Sequence, residues 1–430
     1  MKKATTFKIN NFTELKIKML DWSKQFNIFC LLDNSGYQFE APAFECLLGV
    51  GCKANIQVGA GNAFAALKAF NAAHNDWLFG HLAYDLKNET EQLQSNNFDG
   101  IGFSALHFFV PEIVIQLSQQ ELTIYYDEGD AEQILAAINN TSSSIKEEKL
   151  AAFTIADNFT KNDYIKTIQQ LQQHILRGDC YEINFCQNFF STNATIDPVT
   201  VYQKLTSLSP NPFSALYRVE NKYCLCASPE RYFKKTGNKV ISQPIKGTAK
   251  RYLEDAQLDE NSKHQLSQSE KEKSENVMVV DLVRNDLSKV CKEGTVQVDE
   301  LFGIYSFPQV HQMISTISGE LMDNMDWIDV VKATFPMGSM TGAPKRRVMQ
   351  LIEEFERTKR GLFSGAIGYV SPQGDADFNV VIRSILYNTT TKYLSFSAGS
   401  AITFYSEPEL EYEECLLKVA AMKKVLGQDG

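Results

Sequence analysis

The chain has 430 residues, 44% hydrophobic and 22% charged, the balance of a globular protein with a large core. A net charge of −10 with no Lys/Arg block excludes a phosphate-tracking nucleic-acid binder. No apolar run approaches the roughly 18 residues of a membrane span, and nine cysteines without a CxxC pair read as the reduced thiols of a cytoplasmic protein.

In chain order, short β-like runs at Phe29–Leu32, Ile113–Leu117 and Leu122–Tyr126 accompany an alanine-rich helix over Ala63–Ala73. The polar stretch 139–149 marks a linker or surface loop, which divides an N-terminal region, 1–138, from a C-terminal one, 150–430. Ile165, Ile168, Leu171, Ile175 and Leu176 follow helical spacing up to Gly178. Tyr181, Ile183 and Phe185 then alternate with Glu182, Asn184 and Cys186, which predicts a strand with one polar face. Helices are expected over Glu270–Ser288 and Met340–Lys359, and a hairpin of Val380–Tyr387 with Tyr393–Ala398. A last helix starts at Ser406-Glu407-Pro408-Glu409, read as a capping box. Strands and helices mix without a βαβ rhythm, so the fold class is α+β with large antiparallel sheets. Cys224 and Cys226 share a strand face and read as core packing rather than metal ligands.

Several side chains carry potential chemistry. Lys246 sits in Gln243-Pro244-Ile245-Lys246-Gly247-Thr248, and Glu230 in Ala227-Ser228-Pro229-Glu230-Arg231, both in Pro-shaped turns at strand ends. Together they suit a nucleophile and an acid/base; apart, they are two solvated turns. Glu411, Glu414 and Lys418 fall on one face of the last helix. That face is either an exposed Glu414–Lys418 pair or, with a third carboxylate, a seat for a hard dication. Glu275 is the candidate third ligand, because it precedes the apolar Val277-Met278-Val279-Val280, which draws a carboxylate inward. Arg383 shares a predicted face with Val381 and Ile385, so it needs either a structural carboxylate or a substrate anion. Pro336–Lys345, with Gly338 and Gly342, leads into a helix start suited to an anion, but it is not a Walker loop. His311 is a general acid or a packed strand histidine.

These segments, together with Gly178–Asn184, Glu275–Leu287, Gly365–Tyr369 and Glu411–Glu414, resemble the chorismate-utilising enzymes, densely over residues 155–425. The resemblance implies a sandwich of large antiparallel sheets with helices outside. It implies that Glu275 and Glu414 hold Mg2+, with Glu411 close by through water. Tyr369 and Arg383 should grip a carboxylate of chorismate, helped by backbone at Gly399. Thr341 and Lys418 should line the substrate pocket, and His311 should lie near the ring. Lys246 stands where the C2-aminating and isochorismate-forming relatives typically carry Ala, which points to amination at C4. In that chemistry an uncharged Lys246, its pKa lowered, attacks C2 of chorismate while Glu230 protonates the departing C4 hydroxyl. Ammonia would come from a separate glutamine amidotransferase subunit, since no Cys-His glutaminase signature is visible. Glu182 departs from the Gln or Lys of relatives, and its role in the substrate pocket stays open. C2 amination to anthranilate, or a non-catalytic subunit binding chorismate or tryptophan, are the alternatives. Leu31-Leu32-Asp33-Asn34 resembles the tryptophan-pocket segment of relatives and reads equally as a plain buried strand.

Overall fold

Runs rich in Val, Ile, Phe and Tyr pair into antiparallel sheets, and the computed structural model of the chain describes residues 2–37, 44–142, 152–307 and 310–428. Among these residues one sheet has 12 strands and the other 10, with the helices packed around them, as the α+β reading expects. Period-two alternation sorts the side chains between layers. In the strand Phe213–Val219, Ala215 and Tyr217 join Phe79, Phe108 and Phe378 of the other sheet in one core. Leu216, between them, faces the opposite way and packs with Leu15, Leu205 and Val419 from three helices. Cys224 and Cys226 are fully buried free thiols of the inter-sheet core.

The split at 139–149 does not separate two bodies. The strand Ile28–Asp33 pairs with Phe213–Val219, and Leu78–Leu82 pairs with Ala366–Val370, so strands from both sides of the linker build both sheets. Residues 143–149 of that linker lie outside the described residues.

Three local expectations are corrected. The helix expected over Met340–Lys359 spans only Lys345–Phe355. Pro344 disfavours helix in the residue before it, and Gly342–Ala343 pairs instead with Glu182 and Ile183. The first hairpin strand begins at Ser384 rather than Val380, because Arg383 takes a left-handed φ of 52° that breaks an extended run. The last helix runs Pro408–Val425 with no side-chain cap. The Ser406 hydroxyl is spent on the preceding turn, accepting from Thr403 N at 3.1 Å.

The chain crosses between the sheets at two places that carry candidate site residues. Pro229 and Glu230 join the strand Lys222–Ser228 of the larger sheet to Arg231–Thr236 of the smaller. Residues 380–383, which include Arg383, return the chain from Ala376–Asn379 to Ser384–Asn388.

Candidate active site

Glu182 opens the strand Glu182–Ser191, and Lys246 lies in Ile245–Lys250 of the other sheet. Gly247 takes φ +95°, with Glu272 Oε2 3.1 Å from where a Cβ would stand; only glycine adopts this turn without strain. The Lys246 amine donates to Glu182 Oε1 at 2.9 Å, with both residues buried. The other oxygen, Oε2, is buried and unbonded among the described residues. Burial opposes the charge on Lys246, but Glu182, Glu275 and Glu230 outweigh it and raise its pKa above the ordinary lysine value. Without a dication, the lysine pKa is raised rather than lowered, and the amine is held as an ammonium because acids surround it.

Glu230 is buried at the crossing between the sheets and accepts a 2.6 Å hydrogen bond from the Ser339 hydroxyl. Burial pushes its pKa up to about 7, against the pull of Ser339 and Lys246. Ser339 was not among the sequence candidates. Its signal was there, in the Pro336–Lys345 segment, but a hydroxyl in a glycine-rich turn says nothing of its partner. The Asn184 amide donates to Ser339 O at 2.7 Å and so fixes that turn against the strand of Glu182.

On the helix Glu270–Ser288 Glu275 is buried, as the apolar run behind it required. Its pKa is pushed up to about 7 by burial, with Glu182 and Glu272 adding to the effect and Lys246 opposing it. The C-terminal helix presents Glu411, buried, and Glu414, paired to Lys418 Nζ at 2.5 Å. Lys271 bridges the two helices, 3.9 Å from Glu275 and 3.5 Å from Glu411. Lys271, one turn before Glu275, was also missed.

Among the described residues no three acidic, His or Cys side chains converge tightly enough to grip a metal as they stand. The donor chemistry nevertheless suits a hard dication. Two carboxylates already share a cation, and Glu275 Oε1 is a buried acceptor without a hydrogen bond.

Arg383 is placed beside this group. It donates to Lys418 O at 3.3 Å, and no carboxylate lies within ion-pair distance of it among the described residues. Burial lowers its pKa, opposed by Glu414. Lys418 Nζ also donates to Gly399 O at 2.9 Å. Gly399 has no room for a side chain, since a Cβ would stand 2.1 Å from Phe185 O.

The other three implied site residues make contacts of their own. The Tyr369 ring packs at tilted angles against Phe44, Trp77 and Phe79. It lines a half-open pocket with Leu32, Asp33, Asn34, Arg231 and Asp377, and it contacts neither Lys246 nor Arg383 among the described interactions. The segment Leu31–Asn34 thus ends in that pocket rather than only in a packed strand. His311 spends both ring nitrogens, on Ser306 Oγ at 2.8 Å and Asp259 Oδ1 at 3.2 Å. Thr341 is buried, and its hydroxyl bonds Met337 O at 3.1 Å within its own turn.

A buried amine, a neutral-range carboxyl and a guanidinium with no ion pair among the described residues thus lie with the paired acidic helices. Consistent with this, the chain belongs to the chorismate binding enzyme family, which it matches over residues 28–424. It is 32% identical over 363 residues to aminodeoxychorismate synthase component 1 of Bacillus subtilis, covering 81% of this chain and 76% of that protein. It is 31% identical over 350 residues to anthranilate synthase component 1 of Saccharolobus solfataricus, covering 81% and 80%. Its fold matches the crystal structure of anthranilate synthase component I from Streptococcus pneumoniae with a TM-score of 0.77 at 24% identity, over 90% of this chain and 93% of that one.

Proposed function

We propose that this chain is component I of an aminodeoxychorismate synthase, which replaces the C4 hydroxyl of chorismate with ammonia to give 4-amino-4-deoxychorismate. The observation that carries this reading is the buried Lys246 amine, set in one acidic pocket with Glu230, whose carboxyl is poised near 7. Lys246, once it has lost a proton, attacks C2. The ring double bond shifts, the C4–O bond breaks, and Glu230 gives its proton to the departing hydroxyl, which leaves as water. Ammonia then adds at C4 and the C2–N bond breaks, freeing the lysine. The proton left on the new C4 amine returns Glu230 to its acid form.

Arg383, which has no carboxylate partner among the described residues, is the seat for a substrate carboxylate. Lys418 and the Gly399 carbonyl fix the neighbouring backbone. Glu275 and Glu414, with Glu411, would hold Mg2+. The ion, when bound, would orient the ring carboxylate and draw electron density from the ring. Ammonia would reach the site from a glutamine amidotransferase subunit, in keeping with the component naming of relatives.

The test is direct. Purified chain, chorismate, Mg2+ and an ammonium salt are combined, and products are identified by mass. Aminodeoxychorismate is the expected product. Anthranilate would assign the chain to C2 amination instead, as the Saccharolobus relative's name suggests. Lys246→Ala should abolish product, and full activity in that variant would exclude the covalent route.

A further inference from the structure

The pairing of Lys246 with Glu182 raises a question the reaction must answer, namely where the lysine proton goes. An ammonium has no lone pair, so Lys246 cannot attack until a base within hydrogen-bond reach takes that proton. Three carboxyls surround the amine from different elements: Glu182 on its strand, Glu230 at the crossing between the sheets, and Glu275 on the helix Glu270–Ser288. On that same helix Glu272 and Lys271 act on Glu275, and Glu272 and Glu414 also interact with Lys246. Of the three, only Glu182 makes an ion pair with the amine among the described residues, at 2.9 Å. Glu230 is turned to Ser339 and is needed as the acid.

We propose that Glu182 is a catalytic base, receiving the Lys246 proton as the amine attacks and returning it when the lysine leaves. This rests on the C4-amination reading. The geometry suits transfer better than permanent pairing. A structural ion pair in the interior needs its remaining oxygen satisfied, yet Glu182 Oε2 is buried and unbonded among the described residues, and the carboxylate is only 1% exposed. In so dry a place the charged pair bears the desolvation of two ions, while the neutral pair of amine and carboxylic acid bears little. Desolvation thus favours moving the proton across the 2.9 Å bond, against the surrounding acids that hold it on Lys246.

Protons balance over the cycle. Glu182 takes one from the ammonium, Glu230 gives one to the hydroxyl, the ammonia-derived nitrogen returns one to Glu230, and Glu182 returns its proton to the freed amine. Net, chorismate and ammonia become aminodeoxychorismate and water.

Glu182→Gln keeps an acceptor for the Lys246 N–H but removes the basicity, so it separates proton transfer from positioning. Without ammonia, the chain mixed with chorismate should gain the mass of chorismate less water, and quenched intact-mass measurements give the rate. In Glu182→Gln that rate should fall about 100-fold and rise tenfold per pH unit, as hydroxide replaces the lost base, with equilibrium binding of chorismate kept. A variant that forms the adduct at the wild-type rate overturns the proposal. Should Glu182→Gln not melt cooperatively, Glu182→Asp decides. Its carboxylate is set back by a methylene, so slowed adduct formation supports the base role, and an unchanged rate overturns it. A wild-type chain that makes neither adduct nor aminodeoxychorismate overturns the reading on which this rests, a result distinct from an active wild type with an equally active Glu182→Gln.

Discussion

Glu230 shows how one residue can trade stability for chemistry. A carboxyl whose pKa rises from 4.5 to about 7 on folding is neutral in both states below pH 4.5. Between pH 4.5 and 7 the unfolded chain ionises first, so stability falls as pH rises, and above 7 the loss is constant. The shift corresponds to about 3 kcal/mol. Glu230→Gln should therefore match wild type in urea unfolding at pH 4 and exceed it at pH 8, while losing 4-amination at both. In the wild type, kcat should decline above pH 7 as the acid loses its proton. Arg383 makes the complementary case. The residue sits partly buried in a left-handed backbone, and among the described residues its guanidinium bonds only a carbonyl, so the protein alone gains little from its charge. Arg383→Met should leave the melting temperature unchanged or raised, whereas KM for chorismate should rise about tenfold or more, the worth of a charge-assisted hydrogen bond.

At the scale of elements, the site depends on a buried pair outside it. Arg360 grips Glu356 at 2.6 Å and also bonds Met340 O at 2.7 Å and Asn184 O at 2.8 Å. It thereby clamps the Ser339 turn to the strand that carries Glu182. Arg360→Met leaves Glu356 charged and unpaired in the interior, which should cost about 3–5 kcal/mol in urea unfolding. Neither partner stood out in the sequence, because a Glu and an Arg at i, i+4 look like any surface helix pair. The helix in fact ends at Phe355, and the pair turns inward beyond it. Elements with strong periodicity were legible: Ala63–Ala73 and Glu270–Ser288 appear with the bounds their spacing predicts. What was not legible was long-range. Lys246 and Glu182 lie 64 residues apart and meet only because two sheets converge there. The ring of Tyr369 went to the inter-sheet pocket because strand alternation set its face, which a motif alone does not reveal.

Across the whole molecule, the cleft between the Glu270–Ser288 and C-terminal helices gathers acids in a chain already at −10. Self-repulsion there is relieved by Lys271, which stands between Glu275 and Glu411, and its pKa is raised by those acids against the effect of burial. A dication would serve the same electrostatic need with twice the charge, so on the proposed assignment Lys271 and Mg2+ compete for one place. Lys271→Met removes the competitor. Without Mg2+ this variant should melt below wild type, because two carboxylates lose their counter-charge. Millimolar Mg2+ should then raise its melting temperature by more than it raises that of wild type, since ligand binding to the native state stabilises by mass action. Glu414→Ala should shrink the Mg2+ shift in either background. Melting curves across a Mg2+ titration read all four chains, and identical shifts in wild type and Lys271→Met would place the ion away from the helix pair.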